Sequence, residues 1–167
     1  MKRILVLGSG GAGKTTFARQ LSRKTGLPLI HLDLHFWNYG WVETPRDKWL
    51  PVVLGLAERP EWIMDGNYSG TIDIRMQYAD TVIFLDYGRF TCSLGVLKRV
   101  ILNWGRVRDD MPEGCPERFS FDFMKWIWNY SSRSRPKIIH ALEKAPISVT
   151  VHTVKNRRLL KSLSTML

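Results

Sequence analysis

The residues best suited to chemistry lie near the start of the chain, where glycines, a lysine and two threonines follow a short apolar run. The spacing Gly-x-x-x-x-Gly-Lys-Thr covers residues 8–15 and is typical of a loop that holds the phosphates of ATP or another nucleoside triphosphate. Glycines let the main chain turn its N–H groups toward phosphate oxygens, and the following helix adds the positive end of its dipole. We expect Lys14 to reach the β- and γ-phosphates, Thr15 to bind Mg²⁺ through its hydroxyl, and Thr16 to lie near the α-phosphate. The predicted nucleotide-binding residues are Gly8, Gly10, Gly11, Ala12, Gly13, Lys14, Thr15 and Thr16.

Three aspartates each follow a short apolar run that is typical of a buried strand. Ligands of parallel sheets bind beyond the carboxyl ends of the strands, so Asp33, Asp65 and Asp86 are candidates for a site there. Asp65 precedes a glycine, which leaves room for a hydrated cation, and we predict that it is the carboxylate near Mg²⁺. Asp33 lies where an acceptor would bind, and it is suited to orient or deprotonate an acceptor hydroxyl. Each aspartate could instead cap a loop, and we favour that structural role for Asp86, which precedes a turn.

The residues after Asp33 supply candidates for further contacts with an acceptor. His35 lies two residues along the chain, and Trp37 and Trp41 flank Tyr39-Gly40. An aromatic face stacks well on a flat or apolar group, although a tryptophan is more often a core residue. For His35 the alternative is a loop residue without a ligand. We therefore predict acceptor contacts from Asp33, His35 and Trp37.

A long basic segment separates the fourth predicted strand from the fifth. Residues 105–118 are rich in glycine, proline and charge, which is the composition of a mobile lid, and we place the lid region at about 99–135. Arginines that close over a nucleotide stabilise the charge of a transferring phosphoryl group. The candidates are Arg99, Arg106, Arg108 and Arg118 in the lid, with Arg133 and Arg135 as predicted catalytic residues. The alternative for each of them is a solvated basic surface.

Alternating strand and helix patterns supply the framework for these residues. Short apolar runs predict buried parallel strands at 3–7, 29–32, 62–64, 81–85 and 147–152. Helical periodicity predicts helices at 14–24, from Thr44-Pro45 to about 59, and at 90–103, 121–130, 136–144 and 154–163. This alternation and the glycine loop predict an α/β protein with the three-layer P-loop NTPase fold: a five-stranded parallel sheet, helices on both faces and a lid insertion. We expect one domain over residues 1–167, because no linker or repeat interrupts the pattern.

Composition and charge limit the classes of function. No apolar stretch approaches the ~20 residues that span a bilayer, and the two cysteines lack a metal-binding spacing. With no signal peptide at its start, the sequence predicts a cytoplasmic protein without a membrane partner and leaves the oligomeric state open. Lysine and arginine number 25 against 15 acids, a net charge of +10, and no acid precedes Asp33 or follows Glu143. Such a surface attracts polyanions, including nonspecific nucleic acid, although a basic surface without a dedicated partner is equally consistent.

Six segments, spread over nearly the whole chain, form a recognisable set. They are residues 8–15, His31-Leu32-Asp33, Trp41-Val42-Glu43-Thr44-Pro45-Arg46, Asp65-Gly66-Asn67-Tyr68-Ser69-Gly70, Gly114-Cys115-Pro116-Glu117 and Ser134-Arg135-Pro136-Lys137. This set resembles the DNA topology modulation protein family, whose members are P-loop kinase-like and related to adenylate kinase. The resemblance implies a parallel sheet with a lid, and the family name implies an effect on DNA supercoiling.

The same resemblance bears on the acceptor. The pair Asp65-Gly66 is similar to the Asp-Gly of nucleoside monophosphate kinases, which continue with Phe/Tyr-Pro-Arg. Asn67, Tyr68 and Ser69 follow here, so the arginine that would hold an acceptor phosphate is missing from its usual place. The resemblance implies acceptor contacts from Asp65, Asn67 and Tyr68, with Arg75 as a candidate replacement for the missing arginine.

Two classes of function fit these observations. The first is a kinase that moves the γ-phosphoryl group of ATP to a nucleotide or small-molecule acceptor, with Lys14, Asp33, Arg133 and Arg135 as its catalytic residues. The second is a nucleotide-dependent nucleic-acid-binding protein that affects DNA topology without kinase turnover. The sequence shows no helix-turn-helix, zinc-finger or RNA-recognition signature, so we favour the first class.

Overall fold

The centre of the molecule is a five-stranded parallel sheet, seen in a computed structural model that describes residues 1–166. The strands are β1 (Arg3–Gly8), β2 (Leu29–His31), β3 (Trp37–Asn38), β4 (Val42–Glu43), β5 (Trp62–Asp65), β6 (Thr81–Leu85) and β7 (Thr150–Val154). The large sheet has the order β2-β5-β1-β6-β7, and each neighbouring pair runs parallel. Strands β3 and β4 form a separate antiparallel hairpin, which we call the 37–43 hairpin. The predicted five-stranded parallel sheet is confirmed.

Helices cover both faces of this sheet. They are α1 (Lys14–Thr25), α2 (Asp33–Phe36), α3 (Arg46–Ala57), α4 (Ile72–Tyr78), α5 (Arg89–Asn103), α6 (Phe121–Trp128), α7 (Tyr130–Arg133), α8 (Arg135–Glu143) and α9 (Arg157–Met166). Residues 104–120, between α5 and α6, contain neither a helix nor a strand. Among the described helices, none combines the length and the apolar character that crossing a bilayer would require.

Two hydrophobic cores follow from the alternation of side chains along the strands. On β1, Ile4 and Val6 pack with buried residues of α1, α5 and α9, whereas Leu5 and Leu7 pack with buried residues of α3, α4 and α8. All four of these side chains are fully buried. Because each face of the sheet has its own apolar cover, the central strands read as continuous apolar runs rather than alternating ones. The strand ends at one edge are thereby held in fixed positions for a site.

Several element boundaries differ from those that the sequence predicts. The fifth strand of the sheet covers Thr150–Val154 instead of 147–152, because residues 146–149 form a turn in which the N–H of Val149 donates to the carbonyl of Pro146. The last helix starts at Arg157 instead of residue 154, because Val154 pairs with Leu85 in the sheet. The helix predicted at 121–130 is divided at residue 129 into α6 and α7.

The segment after β2 also differs from the predicted loop. Asp33 begins the one-turn helix α2, and the 37–43 hairpin follows it. The helix predicted from Thr44-Pro45 begins at Arg46, with Pro45 at its N-cap, and the hydroxyl of Thr44 donates to the carbonyl of Phe36 at 2.6 Å. This bond ties the base of the hairpin to the end of α2.

Candidate active site

The phosphate loop connects β1 to α1 at the point where the sheet order reverses direction, with β5 on one side of β1 and β6 on the other. Among the described residues, the main-chain N–H groups of Gly10, Gly11 and Gly13 donate no hydrogen bond. The ammonium group of Lys14 folds back over the loop and donates to the carbonyl of Ser9 at 3.1 Å. Unpaired N–H groups, a helix start and a cation thus converge on one small volume, which is the arrangement that binds an anion.

The two helices α5 and α6 pack tightly against this loop. A Cβ atom built on Gly11 would lie 2.1 Å from the carbonyl oxygen of Cys92, and one built on Gly95 would lie 2.2 Å from the carbonyl oxygen of Gly11. On the other side, a Cβ atom on Gly10 would lie 2.7 Å from the ring of Phe123 in α6. The missing side chains at these glycines therefore let the loop lie directly on its neighbouring helices.

Asp65 ends β5 beside the loop and forms a buried polar group with two neighbours. The hydroxyl of Thr15 donates to its Oδ2 at 2.7 Å, and Nδ1 of His31 lies 3.2 Å from the same oxygen. Burial alone would raise the pKa of this carboxyl, but the hydrogen bonds from His31 and Thr15 and the nearby charge of Lys14 hold it below its ordinary value. The carboxylate is therefore charged at neutral pH.

The same group fits the Mg²⁺ ion that the sequence predicts. The Oδ1 atom of Asp65 is buried and has no hydrogen-bond partner among the described residues. Carboxylate and hydroxyl oxygens are the ligands that Mg²⁺ prefers, and in nucleotide sites it takes few protein ligands in addition to phosphates and waters. Thr15 and Asp65, which the sequence places 50 residues apart, are thus adjacent and chemically suited to the metal.

Asp33 lies across the sheet edge from Asp65 at the start of α2. The hydroxyl of Tyr68 donates to its Oδ1 in a short hydrogen bond. Burial is the main reason that the pKa of Asp33 is raised; the nearby charge of Asp65 raises it further, and the bond from Tyr68 opposes the shift. Burial and the charge of Asp33 also raise the pKa of Tyr68, so its hydroxyl stays a donor. Tyr68 has φ 30°, an uncommon main-chain conformation for a residue with a side chain.

The loop between β5 and α4 is held from below by Arg75, which is a correction to the sequence-based expectation. Its side chain is fully buried and donates four hydrogen bonds to main-chain carbonyls. The acceptors are the carbonyls of Gly66, Asn67, Tyr68 and Thr71, at 2.6–3.3 Å. Arg75 therefore braces the loop, and its described hydrogen bonds all go to the main chain of the protein itself.

Asn67 also differs in role from the acceptor contact that the resemblance implies. Its Oδ1 accepts a hydrogen bond from the N–H of Gly8 at 3.3 Å, which joins the loop after β5 to the phosphate loop. Its Nδ2 is buried and has no hydrogen-bond partner among residues 1–166. This side chain positions the end of β1, and its free N–H group is still available to a ligand.

The lid arginines Arg99 and Arg108 lie in an ion-pair cluster rather than free above the loop. Arg99 donates to Oε1 of the buried Glu117 at 3.0 Å, and Arg108 lies 2.8 Å from Oε2 of the same residue. Arg108 also pairs with Asp110 at 3.1 Å, and Asp110 lies 3.5 Å from Arg19 of α1. The cluster fastens the 104–120 connection to the helix that follows the phosphate loop.

The other predicted arginines occupy three different environments. Arg106 and Arg118 are exposed, and the guanidinium group of Arg118 lies 5.8 Å from the centre of the Trp41 ring. Arg133 is exposed at the end of α7. Arg135 forms a two-pronged ion pair with Asp86, at 2.7 and 2.8 Å. Asp86, for which the sequence favours a structural role, thus anchors the first residue of α8 to the end of β6.

The lid and the 37–43 hairpin touch each other over the Asp33 side of the site. The N–H of Gly40 donates to the carbonyl of Gly114 at 3.2 Å, and Sγ of Cys115 lies 3.2 Å from the carbonyl oxygen of Asn38. Trp37 is half-buried at the base of the hairpin and packs edge-on against the rings of its neighbours. His35 is exposed on α2, and partial burial and the charge of Arg59 lower its pKa, so its imidazole is neutral near pH 7.

His31 lies against the carboxylate of Asp65, although the sequence does not mark it as a residue of the site. The two residues are directly opposite each other in the parallel pairing of β2 and β5. A histidine at the end of one strand and an aspartate at the end of another give no local signal that they meet. The contact becomes visible once the order of the strands is known.

An open cleft of about 450 Å³ lies beside the start of α1 and is lined on its other side by residues of α9. Ala12, Gly13 and Thr16 form its floor, and Arg157 and Lys161 of α9 contribute cations to its wall. Its volume is within the range of small-molecule sites. The exposed Thr16, predicted near the α-phosphate, faces this cleft.

Comparisons with known proteins identify the fold. The sequence matches no protein family profile and no curated protein. A solved shikimate kinase from Acinetobacter baumannii, in complex with shikimate, aligns with a TM-score of 0.62 and 15% identity over 99% of this chain and 90% of that one. A solved sugar kinase from a Janibacter species aligns with a TM-score of 0.56 and 16% identity over 99% of this chain and 91% of that one. The chain therefore has the P-loop kinase fold.

Proposed function

We propose that the chain is a phosphotransferase that moves the γ-phosphoryl group of ATP to a nucleotide or small-molecule acceptor. The observation that carries this proposal is the convergence at one sheet edge of an anion-binding loop, the Thr15–Asp65 pair and the Asp33–Tyr68 pair. A protein that merely binds nucleotide needs the first two features. The third adds a carboxylate on the far side of the phosphates, where an acceptor would approach.

The chain's own residues have distinct roles in this proposal. The N–H groups of the phosphate loop hold the phosphates, and Lys14 leaves the carbonyl of Ser9 to bind their oxygens. Mg²⁺ beside Thr15 and Asp65 would neutralise phosphate charge when it is bound. The cleft beside Thr16 would take the nucleoside part of ATP. Arginines of the lid would balance the charge of the transferring group once they exchange their carboxylate partners for phosphate oxygens.

Two further lines of support bear on the finer identity. Of the solved structures that share the fold, one is named a shikimate kinase and has shikimate bound, and another is named a sugar kinase. The sequence segments that resemble DNA topology modulation proteins cover the phosphate loop, the loop after β5 and the lid. As part of this proposal, we place the chain in that family. Its effect on DNA would then come from nonspecific binding by the basic surface and not from a motif that recognises a base sequence.

The test measures ADP formation from ATP with and without acceptors from three classes: nucleoside monophosphates, nucleosides and small alcohols. We expect at least one class to stimulate turnover, and the Lys14→Ala variant to abolish it. The matched control is Lys48→Ala, because Lys48 is an exposed lysine on α3. If no acceptor stimulates turnover while nucleotide raises DNA affinity at physiological salt, the kinase proposal is wrong and the nucleic-acid-binding alternative is correct.

A further inference from the structure

Among residues 1–166, the loop after β5 and the helix that follows it supply no arginine that is free to hold an acceptor phosphate. Arg75 is the basic side chain of that region, and it is fully buried beneath the loop. Its four hydrogen bonds go to main-chain carbonyls. Breaking these bonds would leave acceptors such as the buried carbonyl of Gly66 without a donor. An acceptor cannot recruit this guanidinium group without dismantling the loop that carries Tyr68.

Among the described residues, the ion-paired arginines of the lid do not replace the missing charge, and the exposed Arg118 lies against the Trp41 ring instead. Arg108 is the lid arginine whose charge reaches Asp33, but the buried carboxylates of Asp110 and Glu117 already pair with it. The whole cluster contains three arginines, at 19, 99 and 108, and three acids, at 109, 110 and 117, so its formal charges balance. This cluster therefore presents a neutral group to the acceptor side, and its arginines become available at most to the transferring phosphoryl group.

The acceptor side itself is negative. Asp33 and Asp65 both lie at this edge of the sheet, and the negative charge of Asp65 raises the pKa of Asp33. A phosphate monoester beside Asp33 would bring up to two further negative charges close to this half-buried carboxylate, which is unfavourable because water screens the repulsion only in part. A hydroxyl group suits Asp33 better, because Tyr68 bonds its Oδ1 and, among the described residues, no hydrogen bond is formed by its Oδ2.

We infer that the acceptor is an uncharged compound with a free hydroxyl group, such as a sugar or a nucleoside, and not a phosphate monoester. This inference rests on the proposed phosphotransferase function and names its substrate class. In the transfer, the acceptor oxygen forms a bond to the γ-phosphorus, and the bond from that phosphorus to the bridging oxygen breaks to leave ADP. The hydroxyl proton passes to Oδ2 of Asp33, and Tyr68 keeps the carboxylate oriented.

The experiment compares compounds in matched pairs: a nucleoside with its 5′-monophosphate, and a sugar with its monophosphate. Binding is followed by tryptophan fluorescence in the presence of a nonhydrolysable ATP analogue, and turnover by ADP formation. We expect one uncharged member to bind and to exceed its phosphorylated partner in kcat/KM by about 100-fold or more. The pair that responds distinguishes a sugar from a nucleoside.

The Asp33→Asn variant adds a readout that a structural role would not produce. With the uncharged acceptor, its kcat should fall by about 10² to 10⁴-fold, because the proton acceptor is lost. Affinity for the phosphorylated member should rise by about tenfold, because a negative charge is removed. The matched control Asp73→Asn, at an exposed aspartate of α4, should leave both quantities unchanged.

Binding and turnover together separate this inference from the proposed function. If the uncharged member binds better but no ADP forms, the preference of the site for an uncharged hydroxyl compound stands, whereas the phosphotransferase proposal and the role of Asp33 as proton acceptor are wrong. If the phosphorylated member is preferred, the inference is wrong and the phosphotransferase proposal still stands. In that case, a loss of the preference in Arg118→Ala would identify the exposed Arg118 as the phosphate-binding group. If neither member of any pair binds, the inference is overturned as well.

Discussion

Substituting alanine for Gly95 on α5 should damage the phosphate loop, although alanine is the better helix former. Gly95 lies in the interior of the helix, where replacing glycine by alanine normally adds about 1 kcal/mol of stability. Here the new Cβ atom would lie 2.2 Å from the carbonyl oxygen of Gly11 and 3.0 Å from its carbonyl carbon. Since an ordinary contact begins near 3.4 Å, the loop and the helix must separate by about 1 Å.

The magnitude follows from comparing this substitution with one that lacks the contact. Gly55 lies in the interior of α3, is exposed, and has no atom within 4 Å of a built Cβ. Gly55→Ala should therefore gain about 1 kcal/mol in the free energy of unfolding. Gly95→Ala gains the same helix propensity but loses about 1–3 kcal/mol to overpacking, so the two variants should differ by that amount.

The assay is urea unfolding followed by tryptophan fluorescence, together with calorimetric titration of ATP. A loop displaced by about 1 Å should bind ATP about tenfold more weakly in Gly95→Ala and reduce any turnover by up to about 100-fold. Gly55→Ala should bind ATP like the unmodified chain. If both variants gain stability and both bind ATP normally, the packing of α5 on the phosphate loop is not as we describe it.

Three further predictions concern the charged groups of the site. Lys14→Ala should weaken ATP binding by about tenfold or more with little change in unfolding free energy, because the described bond of Lys14 goes to the carbonyl of Ser9 alone; an unchanged calorimetric titration would refute this. Arg75→Met should lower the free energy of unfolding in urea by about 3 kcal/mol, since the carbonyls of Gly66 and Asn67 lose the donor described for them and those of Tyr68 and Thr71 lose one bond each; a loss below 1 kcal/mol would contradict the bracing role. Asp33→Asn should raise the free energy of unfolding at pH 7 but not at pH 3. Because the pKa of Asp33 is raised in the folded state, that state binds the proton more tightly than the unfolded chain, and the free energy of unfolding falls as pH rises through this pKa. The asparagine does not ionise, so the variant does not lose this stability. Equal stability of the variant and the unmodified chain at pH 7 would show that Asp33 has no such shift.

The parts of the site that local sequence predicts are those in which neighbours along the chain form the structure. The phosphate loop is of this kind, because the glycines, Lys14 and Thr15 act within eight residues. The aspartates at strand ends also follow from local patterns, since an apolar run and a following acid predict where a strand stops. The general layout of the sheet then follows from the alternation of strands and helices.

The remaining contacts depend on which strands lie side by side. His31 meets Asp65 because β2 pairs with β5 in one particular register, and a shift of one residue would remove the contact. The burial of Arg75 is also a tertiary result, because the loop covers its side chain and the hydrogen bonds from Arg75 in turn hold the loop in place. The start of β7 is also a tertiary result, because Ile147 is fully exposed although its sequence is strand-like.

The two carboxylates of the site differ because the topology gives them different partners. Asp65 receives a hydroxyl and an imidazole from elements on either side of it, and its pKa is lowered. Asp33 lies one strand farther out, receives a single hydroxyl from Tyr68, and its pKa is raised by burial. Carboxylates whose environments move their pKa values in opposite directions are suited to opposite tasks: the first to remain charged beside phosphates and a cation, the second to take up a proton. The strand order β2-β5-β1 fixes this difference and puts the phosphate loop on the Asp65 side, so in the proposed reaction the phosphoryl group would move from the β1 side of the sheet toward β2.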